Sequence, residues 1–412
     1  MANRIDSCRI CGSRNLPTIL DLGIQVMTGI FPRNRDASIE AGPLELVKCT
    51  GTDDVCGLVQ LAHNFNLRTM YGADYGYRSG LNEGMVRHLR RKVAQILERA
   101  PLLDKDIIID IGSNDGTSLA SYPSDRFHLI GIDPLIPKFD DYYPLHVTKI
   151  PQFFSGDAIR QYIGDRRARV ISSVAMFYDI ENPLAFSREV IDLLEDDGIW
   201  ILEQSYLPAM LATTGYDTVC HEHFEYYALT QIKWMLDRVD AKIVDVELND
   251  VNGGSFSLWV ARRSAPLPEF IDLPALLARE RAAGLDEPAV YRDFAKRVAR
   301  SRDTVRTFFD SARRGGKRVG GIGASTKGNV LLQYCNVTAA DMFGIGEVNA
   351  DKFGHFTPGS LIPIIPESEM LAAQPDYLVA LPWHYRKFFE TSETFKGRCL
   401  VFPLPELSVV QR

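Results

Sequence analysis

Short apolar runs separated by stretches of helical spacing divide most of the chain into two alternating patterns. The first holds "DIIIDIG" (106–112), "FHLIGIDP" (127–134), "RVISSVAMF" (169–177) and "GIWILEQ" (198–204), then "AKIVDVELND" (241–250) and "SFSLWVARR" (255–263). Runs of this length, bounded by turn residues, predict a mostly parallel, doubly wound α/β sheet. The last two lie close enough to pair as an antiparallel hairpin through "NDVNGG". A second α/β pattern starts at "KRVGGIGAST" (317–326) and continues through "MFGIGEVN" (342–349), "PDYLVALPW" (375–383) and "RCLVFPLP" (398–405). Between the two, residues 264–316 are rich in Arg, Ala and Asp, with Val290, Phe294, Val298, Val305 and Phe309 at helical spacing, which predicts a long amphipathic connector. Ahead of the first pattern, "MVRHLRRKVAQILERA" puts Val86, Leu89, Val93, Ile96 and Leu97 on one stripe and predicts a packing helix.

At 412 residues the chain exceeds one ordinary core, and 46% hydrophobic with 24% charged residues is the balance of soluble globular protein. A formal charge of −7 argues against general binding to nucleic acid or membrane surfaces. The start, "MANRIDSCRICG", has no secretory apolar core, and no segment approaches the ~20 apolar residues of a membrane span, so a cytoplasmic protein is expected. Four of the seven cysteines precede residue 60: Cys8 and Cys11 in "CRICG", Cys49 and Cys56 in "CTGTDDVCGLVQL". Two such pairs match a four-thiolate zinc site, structural because four thiolates leave no open coordination position.

"IIIDIGSNDGTSL" (107–119) is a strand that ends in D-x-G-x-x-x-G, with Asp110, Gly112, Asn114, Asp115 and Gly116. Glycines at such a turn let a ligand approach the backbone, and the next strand ends in Asp133, placed to accept from ribose hydroxyls. The pattern departs from G-x-G-x-x-G. The acid at Asp115 suits a ligand bearing ammonium and sulfonium groups better than a pyrophosphate, so S-adenosylmethionine (SAM) fits better than NAD.

"DTVCHEHFEYYAL" (217–229) gathers two of the eight histidines, three acids, two tyrosines and a cysteine. Crowding of this kind is costly in a core and useful in a cleft. In extended backbone His221 and His223 share a side and Glu222 faces away; in an irregular turn Glu222 could orient His223. H-x-H-x-E is also a possible metal set. Farther on, "GIGASTKGNVLL" places Ser325, Thr326, Lys327 and Asn329 at a helix start suited to a diphosphate, without the order of a Walker loop. Asn252 and Ser255 on the hairpin turn, and Lys352 and Trp383 after later strands, are further candidates for substrate contact.

The cysteine-bearing start, "IIIDIGSNDG", "YDTVCHEHFEYY" (216–227), "VNGGSF" (251–256) and "GIGASTKGN" (321–329), taken in this order, resemble the SAM-dependent C-methyltransferases of nucleotide-linked 4-keto-deoxysugars. The resemblance covers nearly the whole chain. It implies a class I SAM-methyltransferase sheet flanked by a small zinc-binding domain and a C-terminal Rossmann-like α/β domain, divided here as 1–75, 76–263 and 264–412. It also implies methylation at C3 beside a C4 ketone, with His223 matching the base, Glu222 the adjoining acid, and Tyr77 (or, by register, Tyr75) a tyrosine near the methyl or the sugar. Two departures stand out: Cys220 where the family often has Tyr, and Tyr178 and Asp179 in "VAMFYDIENP", where many members carry Asn and His. Transfer to an oxygen or another carbon is the alternative enzyme reading. A non-catalytic nucleotide-binding scaffold is the rival of another class. The oligomeric state is open, and a monomer is compatible with the sequence.

Overall fold

In the computed structural model, which describes residues 2–52, 54–72 and 75–412, the N-terminal segment forms an antiparallel sheet of β1 (Thr18–Val26), β2 (Ala41–Lys48) and β3 (Val59–Leu61). Helix α1 (Glu83–Arg99) follows, its first turn capped by Asn82, which accepts from the Met85 N–H. Next come β4 (Ile107–Ile111), β5 (His128–Ile132), β6 (Thr148–Ile150), β7 (Ala168–Val174) and β8 (Leu194–Ser205). The short β9 (Glu225–Tyr226) leaves this sheet and pairs with β3, so a strand from the middle of the chain completes the N-terminal sheet. Strands β10 (Ala241–Asn249) and β11 (Ser255–Arg262) are the expected hairpin.

The central sheet runs β10-β11-β8-β7-β4-β5-β6, parallel from β8 to β6 and antiparallel where β11 meets β8. All five residues of β4 are buried, as a continuous apolar run between two helical layers must be. This is a class I methyltransferase sheet, and its parallel strands deliver their C-terminal ends to one crevice. The connector resolves into a helix at Leu273–Ala282 and the longer α2 (Pro288–Arg314), which buries Phe294, Val298, Val305 and Phe309. The C-terminal sheet, β12 (Val319–Ile322), β13 (Ile345–Glu347), β14 (Ile364–Pro366), β15 (Tyr377–Ala380), β16 (Cys399–Phe402) and β17 (Ser408–Gln411), has the order β14-β13-β12-β15-β16-β17. Helix α3 (Thr326–Tyr334) follows β12, with Ser325 as its cap.

The cores do not respect the divisions of the chain. One apolar cluster joins Met27, Phe31 and Leu44 of the N-terminal sheet to Phe294, Val298 and Val330 of the C-terminal unit. Another joins Cys8 and Leu58 to Tyr227, Leu229 and, in the central sheet, Trp200. Among the described residues no helix is long and apolar enough to cross a membrane.

Candidate active site

A cavity of about 420 Å³ opens at the C-terminal ends of β4, β5 and β7, within the size range of small-molecule sites. Asp110, Gly112, Asn114 and Asp133 line it, as do Tyr71, Tyr75 and Tyr77 from the tyrosine-rich segment. Gly112 sits at φ +71°, and a Cβ there would meet the Met176 side chain at 2.9 Å, so only glycine fits this turn. The Asp133 carboxylate accepts from the Asn114 and Leu135 N–H groups at 2.9 and 2.7 Å. Burial pushes Asp133 up to about 6, and pushes Asp110 up to about 7 although the Ser172 hydroxyl donates to it at 2.6 Å. Asp115 and Gly116 are not in the cavity wall. Asp115 accepts from the Gly80 N–H and the Thr117 hydroxyl at 2.8 and 2.6 Å and so pins residues 78–80 across the turn. The anionic wall expected of Asp115 is therefore taken up within the protein. An acid at the end of β5, a glycine cradle and an apolar lining that includes Ile132, Phe154 and Met176 fit the ribose and adenine of SAM.

The histidine-rich stretch folds as an irregular turn. Thr218 ends a 3-10 turn, and the chain straightens only at β9. The His223 Nδ1 lies 3.0 Å from the Thr218 carbonyl oxygen. A carbonyl only accepts, so Nδ1 carries the hydrogen and Nε2 keeps its lone pair. Burial, reinforced by the Lys327 ammonium, brings His223 down to about 3. His223 is not among the wall residues of the cavity. Its ring lies 4.0 Å from that of Tyr178, and the Tyr178 carbonyl accepts from the Phe224 N–H at 2.7 Å, so the base candidate is fastened to the turn that carries the cavity-lining Asp179.

Glu222 lies over Gly29, where a Cβ would come within 2.0 Å of its Oε1, and makes no hydrogen bond to the His223 ring. The expectation that an irregular turn lets it touch and orient His223 is not met; Thr218 does that instead. His221 is fully buried between Thr28 and the Gly42 carbonyl, at 3.5 and 3.3 Å, edge-on to Phe65. It is a packing residue. The two histidines and Glu222 thus diverge, and among the described residues the four N-terminal cysteines are the one group with metal-ligand geometry.

Of the C-terminal candidates, Lys327 reaches this corner: its ammonium donates to the Asn252 carbonyl at 2.6 Å and acts on Asp217, His223 and His384. Others are engaged with the protein. The Ser325 hydroxyl caps α3, Ser255 donates to the Val251 carbonyl at 2.8 Å, and the Asn329 amide donates to the Thr28 carbonyl at 2.7 Å. Lys352 donates to the Ala324 carbonyl at 2.8 Å with its ammonium over the Phe31 ring, and Trp383 donates to the Asp217 carboxylate at 2.7 Å. Thr326 begins α3 beside Gly29. Sequence reasoning missed the His384 ring and the Thr218 carbonyl. The first directly follows Trp383 in the sequence; a backbone acceptor leaves no mark in one.

The Sγ atoms of Cys8, Cys11, Cys49 and Cys56 lie within 4.8 Å of one another. Thiolates at ~2.3 Å from a tetrahedral ion stand just under 4 Å apart, so the donor set fits structural Zn²⁺. Arg9, inside the knuckle, donates to the Leu61 and His63 carbonyls at 2.7 and 3.1 Å and faces Glu225 at 3.6 Å.

Three family models match in succession: a zinc binding domain over residues 8–71, a methyltransferase domain over 85–246, and a C-methyltransferase C-terminal domain over 250–405. The C-methyltransferase NovU of Streptomyces niveus is 29% identical over 416 residues, covering 98% of this chain and 97% of that protein. Solved structures overlap only in part. The plantazolicin methyltransferase BamL aligns with 43% of this chain and 84% of its own at 14% identity and a TM-score of 0.35. The complex of LepI with SAM aligns with 38% of this chain and 43% of its own at 12% identity and a TM-score of 0.32. With a zinc-binding, a methyltransferase and a C-methyltransferase C-terminal module in one chain, the protein belongs to the SAM-dependent C-methyltransferases.

Proposed function

We propose that this enzyme methylates C3 of a nucleotide-linked 4-keto-deoxysugar in the cytoplasm, with residues 1–75, 76–263 and 264–412 as its zinc-binding, methyltransferase and sugar-nucleotide units. The C4 ketone acidifies the adjoining C–H, so a positioned base can generate an enolate without a metal. His223 is that base. The observation that carries the reading is its tautomer: Nδ1 held by the Thr218 carbonyl leaves Nε2 as the acceptor, and burial with the nearby Lys327 keeps the ring neutral. Charge builds on the C4 oxygen as the proton leaves. Lys327 offers an ammonium at the same corner to stabilise it.

Asp110, Gly112, Asn114 and Asp133 would hold SAM, which supplies the electrophilic methyl when bound. Tyr77, on the cavity wall and 42% exposed, would close the reacting centre from the solvent side. Thr326 and the start of α3 would face the diphosphate. The sugar substrate itself rests on the order of motifs along the chain.

The test is a panel of dTDP-, CDP- and GDP-linked 4-keto-deoxysugars incubated with methyl-labelled SAM. A product NMR spectrum with the label on a quaternary C3 supports the assignment. A methyl on oxygen, or on C5, the other carbon beside the ketone, overturns it. His223→Asn should lower turnover by about 10²–10⁴-fold while SAM affinity by calorimetry stays near that of the wild type.

A further inference from the structure

The turn at Tyr178 and Asp179 takes no part in the chemistry above. Asp179 lines the cavity and is 8% exposed. The Tyr71 hydroxyl donates to its Oδ2 at 2.5 Å, while its buried Oδ1 has no hydrogen-bond partner. Glu222, 5% exposed, likewise keeps a buried Oε2 without a partner. The groups acting on these carboxyls are Tyr71 and Glu222 for Asp179, and Cys220 and Thr28 for Glu222; none is a cation. Burial raises both carboxyls above their ordinary range, and the charge of Glu222 raises Asp179 further. Asp179 and Tyr75 line the cavity, whereas Glu222 is not in its wall.

We infer that Asp179 takes a protonated amine on the carbon that receives the methyl, so the substrate is an amino sugar and not its hydroxy counterpart. This rests on, and narrows, the proposed function. Position is the first argument. Asp179 follows directly the residue whose ring lies 4.0 Å from that of His223, and the substituent on the carbon being deprotonated is the part of the substrate nearest the base. Donor count is the second: an ammonium brings several N–H donors and a compensating charge to the partnerless Asp179 oxygen, whereas a hydroxyl brings one donor and no charge. The third is the enolate. An ionised Asp179 beside a developing anion opposes it unless a cation stands against the carboxylate.

The experiment compares kcat/KM for two nucleotide-linked 4-keto-deoxysugars that differ only in amine or hydroxyl at C3, with wild type and Asp179→Asn, and measures SAM affinity of both proteins by calorimetry. The wild type should prefer the amine by about tenfold or more, and Asp179→Asn should bring the ratio close to one with SAM affinity retained. Equal rates with the wild type overturn the inference without recourse to a variant. So does an Asp179→Asn protein that keeps the preference and loses SAM affinity, since the carboxylate then serves the ammonium or sulfonium of the cofactor. If the wild type binds SAM and methylates neither sugar, the functional proposal fails and takes the inference with it. Methylation of both at equal rates leaves that proposal standing.

Discussion

Replacing Arg9 by methionine keeps most of the side chain's apolar stem and removes its charge from a site where the guanidinium is 3% and Glu225 0% exposed. The wild-type arginine satisfies the Leu61 and His63 carbonyls and the Asn64 side chain, stacks over Phe224 at 5.1 Å, and is the cation nearest Glu225. Glu225 is already raised by burial, and Arg9 is the group that draws it back down, so the variant leaves a buried carboxyl with no countercharge and two carbonyls without their donor. Breaking one side of a buried pair costs about 3–5 kcal/mol, a large share of the ~5–15 kcal/mol that holds a domain folded. Urea unfolding of Arg9→Met, Glu225→Gln and the double variant measures this as a cycle. The double variant should be more stable than the sum of the single losses by about 1–3 kcal/mol. Because β9 carries Glu225 two residues after His223, Arg9→Met should also lose turnover at temperatures where it remains folded. A single variant within about 1 kcal/mol of wild type, or strictly additive losses, would refute the reasoning.

With His223 brought down to about 3, its basic form persists through the acid range, so kcat/KM should show no acid limb near pH 6.5; a limb at the ordinary imidazole value removes His223 as base. His221, brought down to about 4 by burial, takes its proton in the unfolded chain first, so its contribution to stability is lost as pH falls from about 6.5 to 4. The stability deficit of His221→Asn should therefore shrink by about 3 kcal/mol between pH 7 and 4, and a constant deficit in urea titrations contradicts it. Cys49→Ser should lower zinc content by mass spectrometry and the melting temperature together. It should also depress turnover, because Gln231 ties the Cys56 carbonyl to the helix after β9 at 3.0 Å. Full zinc content and an unchanged melting curve would argue that the four sulfurs hold no structural ion.

The sheets were readable where strands are long and buried on both faces: β4, β5, β7 and β8 announce themselves as apolar runs. Short edge strands did not. Thr148–Ile150, Ile364–Pro366 and Ser408–Gln411 are three or four residues long, half exposed, and in one case end in proline. Helix α1 showed its apolar stripe, but not that His88 and Lys92 are buried on it, because their partners Glu203 and Glu247 lie more than a hundred residues away. At the site, the glycine turn and Asp133 followed from local chemistry. The fate of Asp115, Ser255 and Lys352 did not, since each is engaged by a backbone group or a neighbouring loop that no spacing rule encodes. Asp179 was visible only as a departure from a pattern, and its burial against Tyr71 needed coordinates.

Near the end of β1, Val26 exchanges two hydrogen bonds with the Gln333 side chain at 2.8 and 3.0 Å, and Asn329 holds the Thr28 carbonyl. The first and last thirds of the polypeptide therefore clasp each other around the middle one. A fragment trimmed to the central sheet would keep the glycine turn and Asp133, yet it would lose Tyr71 and Tyr75 from the cavity wall, expose the flank of the histidine turn and lack Lys327. Nor can a nascent chain assemble the working site before α3 has left the ribosome. Grafting this activity into another scaffold thus means moving the whole polypeptide, because its catalytic centre is a property of the closed circuit and of no single segment.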